Sequence, residues 1–188
     1  MWKNDREQKG QLALQVLSFL PAACMGSLIF GFSSQNAGES SGLSEQVTAA
    51  LVEGANNTFQ AGWTRAQILY YEDIWEFWVR KAAHFSEYLL FGALLCLPLY
   101  VCGLTGRQLV LAAIAISACY ATSDELHQFL SPGRSPGLRD VVMDTCGAAV
   151  GILLTRSLYR KGRNGPFRGL RRFRRRVLEG RGRHLPGI

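Results

Sequence analysis

Ionisable side chains interrupt three apolar stretches of this chain, each at a point where a stretch begins or ends. Imidazole and carboxyl groups can move protons, ligate metal ions and hold polar ligands. A charge at membrane depth is costly, so such residues usually serve a function. If all three groups lie at the same side of a membrane, they define one site. The residues are Lys81, His84, Glu87 and Tyr88 at the first point, Asp124, Glu125, His127 and Gln128 at the second, and Arg139, Asp140 and Asp144 at the third.

Helical spacing places the members of each group on one face. His84 lies three residues before Glu87 and four before Tyr88, so a helix presents all three side chains together. Asp140 and Asp144 are four residues apart and share a second face, with Asp144 about one turn deeper in the apolar stretch. The same spacing relates the members of the remaining group, which are Asp124, His127 and Gln128.

The apolar stretches that must position these residues are long enough to cross a membrane. A run of about 18 or more apolar residues is a candidate span, and an isolated strand cannot satisfy its backbone in lipid. The sequence therefore predicts an all-α integral membrane four-helix bundle in residues 11–159, with close helix contact at Gly147 and Gly151. The predicted spans are Gln11–Phe32, His84–Leu104, Gln108–Gln128 and Asp140–Tyr159.

The distribution of charge predicts the orientation. Residues 156–188 hold 12 of the 21 Lys and Arg residues and one of the 14 acids, whereas residues 1–155 carry a net charge of −4. Because basic flanks remain in the cytoplasm, both termini are expected there, in a multi-pass protein of the cell membrane. The long loop after the first span is then extracytoplasmic, and the three polar groups meet at the outer face.

Two segments outside the spans have a predicted conformation. In the long loop we expect a short helix at Leu43–Val52 and a helix lying at the membrane surface at Ile68–Trp78, where aromatic rings alternate with acids. The tail, residues 160–188, is too poor in apolar residues to fold alone and is expected to be disordered or to form a surface helix on anionic lipid. No nucleic-acid partner is expected. The residues predicted to contact lipid are Arg171, Arg172, Arg174, Arg175 and Arg176.

The residues themselves leave three interpretations of the polar groups open. The acids could pair with Lys81, Arg134 and Arg139 and form a polar pocket for a headgroup. Alternatively, His84, Glu87 and Asp124 could ligate a metal, although no segment carries a strict ligand signature and no cofactor is assigned. In the third interpretation the polar side chains only lock helix packing at the headgroup level.

Three motifs resemble those of the VanZ-like family, in the family's order. The string RKAAHFSEY at 80–88 resembles K-x-x-H-F-x-E-Y. The string DELHQF at 124–129, followed by PGR at 132–134, is similar to D-E-x-x-Q-x-F…P-G-R, although phenylalanine follows Gln128 directly. The string RDVVMDTCG at 139–147 is similar to R-D-x-x-x-N-x-x-G, with Asp144 at the asparagine position. The resemblance covers residues 14–156, and FSSQ at 32–35 also recurs in the family.

The resemblance implies a four-span envelope protein linked to reduced susceptibility to teicoplanin, a lipidated drug that acts at the outer membrane face. We expect the protein to engage an amphiphile at its polar pocket. A hydrolase or transferase acting on a lipid-linked substrate, with His84 or Glu87 as general base, is the alternative. A carboxyl group at the depth of Asp144 must be protonated, paired or metal-bound. The pocket residues are His84, Glu87, Asp124, Glu125, Gln128, Arg134, Asp140 and Asp144, with Lys81, Tyr88, His127 and Arg139 as accessory residues.

Overall fold

The computed structural model describes residues 9, 12–34, 37–129 and 137–161, and within these ranges the regular structure is entirely helical. Arg134 and the basic tail beyond residue 161 lie outside them. Four of the helical segments are long and apolar enough to cross a membrane, as predicted, and the first of them runs from Leu12 to Ser33 and includes α1. The helices are α1 (Leu20–Ser33), α2 (Ala37–Phe59), α3 (Arg65–Val101), α4 (Gly106–Gln128) and α5 (Leu138–Lys161).

Large apolar side chains cover the outside of the bundle. Leu17, Leu28, Leu111 and Leu154 are each more than half exposed, while polar groups such as Asp124 are fully buried. This distribution inverts the usual arrangement of a water-soluble helix and matches helices that face lipid.

Helix α3 corrects the prediction for the segment after the first span. The separate surface helix at Ile68–Trp78 and the span beginning at His84 are parts of one uninterrupted helix of 37 residues. The prediction of two elements is wrong because no glycine or proline occurs between Arg65 and Phe91 to end the helix. At about 1.5 Å per residue, α3 is roughly 55 Å long, well beyond the hydrocarbon thickness of about 30 Å, so its first turns extend past the membrane core.

Helix α2 packs beside this extension and contains the predicted helix at Leu43–Val52. The Ser44 hydroxyl donates to Glu76 Oε1 at 3.3 Å. At the turn between α2 and α3, Trp63 N donates to Asn56 Oδ1 at 2.9 Å, and the Trp63 ring lies 4.6 Å from the Tyr71 ring. The segment after the first span is therefore a helical hairpin rather than an irregular loop.

A capping box starts α3. Gln67 N donates to the Thr64 hydroxyl, and Thr64 N donates to Gln67 Oε1 at 2.9 Å. Thr64→Ala is expected to lower the unfolding free energy by about 1 kcal/mol, because a terminal N–H loses its partner. Thermal unfolding of the purified protein in detergent measures the loss. Thr58→Ala, at an exposed site in α2, is the matched control. Equal midpoints for the two variants would contradict the capping role.

Helices α3 and α5 meet backbone to backbone, as the small residues of α5 predict. A Cβ atom on Gly147 would collide with the carbonyl oxygen of Phe85, and one on Gly151 with that of Leu89. From the other side, Gly92 of α3 faces the backbone of Ala148. This contact fixes the register between the two helices and so places Asp144, one turn before Gly147, opposite the start of the α3 span.

Candidate functional site

One end of the bundle, where α1 and α4 finish and α5 begins, gathers five carboxyl groups. We call it the cluster end, and the acid cluster comprises Glu87, Asp124, Glu125, Asp140 and Asp144. Of these, Asp124 and Asp144 are 0% and 1% exposed, so even without surrounding lipid the helices remove both side chains from solvent. The three motif segments of the sequence therefore converge in the structure.

Asp124 joins α4 to α1. Its Oδ2 atom accepts a hydrogen bond from the Ser33 hydroxyl at 2.8 Å and another from Gln128 Nε2 at 3.2 Å. Ser33 is fully buried and Gln128 almost so. Because both donors approach Oδ2, the two bonds hold the Asp124 carboxyl group in one orientation, and Oδ1 receives neither of them.

Ser33 is a site residue that sequence reasoning did not select. It lies 91 residues before Asp124, and no helical spacing connects residues so far apart. The one available signal was its position, as a hydroxyl residue directly after the apolar run of the first span. The FSSQ string was noted only as part of the family resemblance.

Glu125 and Lys81 organise the rim of the cluster. Glu125 Oε2 accepts a hydrogen bond from Gly137 N at 2.9 Å, which ties the end of α4 to the start of α5. The ammonium group of Lys81 forms an ion pair with Asp140 and lies 5.5 Å from the centre of the Phe77 ring. Both members of the ion pair are about a quarter exposed, so this pair marks the solvent side of the cluster.

Tyr88, predicted as an accessory residue, lies at the centre of the site. It is fully buried, and its hydroxyl interacts electrostatically with both Asp124 and Asp144. Glu87, the residue before it, is partly buried and interacts with Asp124. Helix α3 thus contributes a hydroxyl and a carboxyl group to a site that α4 and α5 share.

Several buried polar atoms have no hydrogen bond of ordinary geometry within the part of the chain that the structure describes. Such atoms are rare in folded proteins, and each requires an explanation. Ser117 lies seven residues before Asp124 on α4, or about 10 Å deeper along the helix. The unpartnered atoms therefore extend from the acid cluster into the bundle. They are the hydroxyls of Tyr88 and Ser117, Asp124 Oδ1, and Asp144 Oδ1 and Oδ2.

The remaining predicted residues occupy different positions. His84 lies on α3 one turn before Tyr88 and is partly buried, and Arg139 is exposed in the first turn of α5. His127 contacts α1, as Asp124 does: its ring stacks on Phe30 with centroids 3.9 Å apart, and its Nε2 atom lies 3.0 Å from the Ser34 hydroxyl.

The described ranges contain no set of side chains that would support the metal interpretation. No three His, Cys, Asp or Glu side chains there are grouped so that they could hold a metal ion. His84, Glu87 and Asp124, named from the sequence, are therefore not assembled as a three-ligand site.

The comparison with protein families gives one match. The family model described as VanZ/LLP1 matches residues 18–159. The matched range is most of the chain and contains Ser33, Lys81 and the whole acid cluster, while the basic tail lies outside it. No curated protein and no solved structure matches the chain.

Proposed function

Because this chain belongs to the VanZ/LLP1 family, we propose that it is a cell-envelope membrane protein that binds the polar head of an amphiphile at the cluster end. Binding there reduces susceptibility to glycopeptides of the teicoplanin type, the role that the family resemblance implies. The acyl chains of the amphiphile remain in the lipid, which the outward apolar side chains of the bundle contact.

The observation that carries the proposal is the pair of buried aspartates with unpartnered oxygens. If polar residues served only to lock helix packing, their hydrogen-bonding groups would be satisfied by one another, because an unsatisfied buried group costs about 1–3 kcal/mol. Among the residues that the structure describes, Asp124 accepts hydrogen bonds on one oxygen only, and Asp144 accepts none. A partly satisfied network that costs stability is typical of a site that receives a ligand.

The experiment replaces acids of the cluster and compares phenotype with abundance. Glu87→Gln and Asp124→Asn, which change acids that match the family motifs, are produced in a glycopeptide-susceptible host. Both are expected to return teicoplanin susceptibility towards that of cells without the protein, at normal membrane abundance. Asp73→Asn, an exposed acid on the α3 extension, is the matched control and is expected to retain the phenotype. Abundance that falls in parallel with the phenotype would support the packing interpretation, and an unchanged phenotype would exclude a role for these acids.

The proposal places the cluster end at the outer face of the membrane. The support is the basic residues Lys3, Arg6 and Lys9 before the first span and the strongly basic tail after the last, which favour cytoplasmic termini. Reporter fusions at Ala50 and at the C-terminus test the orientation. We expect an external signal at Ala50 and an internal one at the C-terminus, and the reverse pattern would exclude binding from the outer leaflet.

The basic tail has a separate proposed role on the cytoplasmic side. Arginines near an anionic lipid surface contribute about 1 kcal/mol each to binding, so the tail is proposed to associate with the inner leaflet. The five arginines named above for lipid contact carry this proposal, which is independent of the acid cluster.

A further inference from the structure

The hydrogen bonds at the cluster end leave acceptors in excess. Most donors that the described residues direct at the acids already have partners: Lys81 pairs with Asp140, Ser33 and Gln128 both donate to Asp124 Oδ2, and Gly137 N donates to Glu125. The Tyr88 hydroxyl is an additional donor, which interacts with Asp124 and Asp144 and can satisfy one carboxyl oxygen. Within the described residues, the carboxyl oxygens without a hydrogen bond are Asp124 Oδ1 and both oxygens of Asp144, so two of the three still lack a donor when the Tyr88 hydroxyl is assigned to one. A ligand complementary to this site must therefore contribute donors.

The charges at the cluster end also indicate which kind of ligand the site favours. Around Asp144, the groups that interact with it are Glu125 and Asp124 from α4, Asp140 from its own helix and Lys81 from α3. Three of these four are acids, and the ammonium group of Lys81 is engaged by Asp140. Like charges close together in a buried site repel strongly, so a ligand that carries a positive charge lowers the energy of the whole cluster.

We infer that the group bound at Asp124 and Asp144 is a primary ammonium. This inference rests on the proposed function, because it names the chemistry of the polar head that the same site takes. An ammonium has three donors and no acceptor, so it can serve the carboxyl oxygens that the Tyr88 hydroxyl leaves without a donor. A quaternary ammonium supplies charge without N–H donors and leaves those oxygens unbonded. The rim of the cluster already contains one pair of this kind, between Lys81 and Asp140.

The test uses octylammonium as a probe of the full-length protein in phosphatidylcholine nanodiscs, with heats of binding corrected for empty nanodiscs. Asp144→Asn is expected to weaken binding about tenfold, the loss that removal of one charged hydrogen-bond partner causes. Asp73→Asn is expected to bind as the unchanged protein does. Octyltrimethylammonium is expected to bind at least about tenfold more weakly than octylammonium, and octanoate is expected not to compete.

A primary ammonium could belong to a lipid of the bilayer or to an amphiphile that arrives from outside, and a second arm separates these sources. If the ligand is a lipid headgroup, nanodiscs that contain phosphatidylethanolamine weaken octylammonium binding in the unchanged protein but not in Asp144→Asn. If those nanodiscs leave binding unchanged, the ammonium comes from a separate amphiphile. Both outcomes agree with the inference about the chemistry of the bound group.

Three results would overturn the inference: equal affinity of Asp144→Asn and Asp73→Asn for octylammonium, equal affinity for the quaternary probe, or competition by octanoate. Failure of this inference can be distinguished from failure of the proposed function. If Glu87→Gln and Asp124→Asn lose the teicoplanin phenotype while octylammonium does not bind to the unchanged protein, the site remains and its ligand has a different chemistry. If the phenotype depends on neither acid, the proposed function itself fails.

Discussion

Gly151→Ala is expected to destabilise the bundle by about 1–3 kcal/mol and to reduce the amount of folded protein in the membrane. The added Cβ would overlap the carbonyl oxygen of Leu89 and approach its carbonyl carbon to 2.8 Å. Both atoms belong to the backbone of α3, so no side chain can rotate away, and the two helices must separate. Thermal unfolding in detergent and quantitative membrane immunoblots measure the two effects.

Gly31→Ala in α1 is the matched control, because a Cβ there meets no atom within 4 Å. Alanine is a better helix former than glycine by about 0.5–1 kcal/mol, so this variant is expected to be as stable as the unchanged protein or slightly more so. If Gly151→Ala were as stable as Gly31→Ala, the backbone contact between α3 and α5 would be wrong.

In contrast to Gly151→Ala, Asp144→Asn is expected to stabilise the folded protein by about 1–3 kcal/mol. The amide has nearly the same size as the carboxyl group, removes a buried acid from a group of acids, and adds N–H donors beside unpartnered oxygens. A substitution that raises stability at a buried polar position indicates that the original carboxyl group is kept for a reason other than stability, such as binding of a ligand.

The same unfolding assay checks this prediction, with Asp73→Asn again as the matched control. Asp73 is exposed, so its change to asparagine is expected to leave the unfolding midpoint unaltered. A lower midpoint for Asp144→Asn would mean that the carboxyl group stabilises the bundle, and the argument from unpartnered oxygens would then fail.

The features that could be predicted from the sequence follow from hydropathy and helical spacing. An apolar run that ends in Asp124 and another that begins at Asp140 must place these acids at helix ends, and backbone geometry then groups Asp140 with Asp144. The contact through Gly147 and Gly151 was also predictable, because small residues permit close approach of helices in a membrane.

Features that depend on tertiary packing could not be predicted in this way. The shared spacing of Asp124, His127 and Gln128 agrees with the contact that all three make with the end of α1, but spacing could not identify the Phe30 ring as the partner of His127. The partner of Asp124 in α1, Ser33, carries no signal in spacing. The continuity of α3 could not be predicted, because the acids and aromatic residues before Arg80 are typical of a segment at the membrane surface. Composition does not show whether such a segment is a separate helix or the extension of a span.

The unbroken course of α3 joins the α2–α3 hairpin and the acid cluster through one continuous helix. A helix without an internal break before Pro98 has no hinge between Trp63, at the tip of the hairpin, and Tyr88 in the cluster. Any tilt imposed at the tip therefore also changes the position of Lys81 relative to α5, while the backbone contact at Gly147 and Gly151 holds the segment from Phe85 to Leu89 against α5.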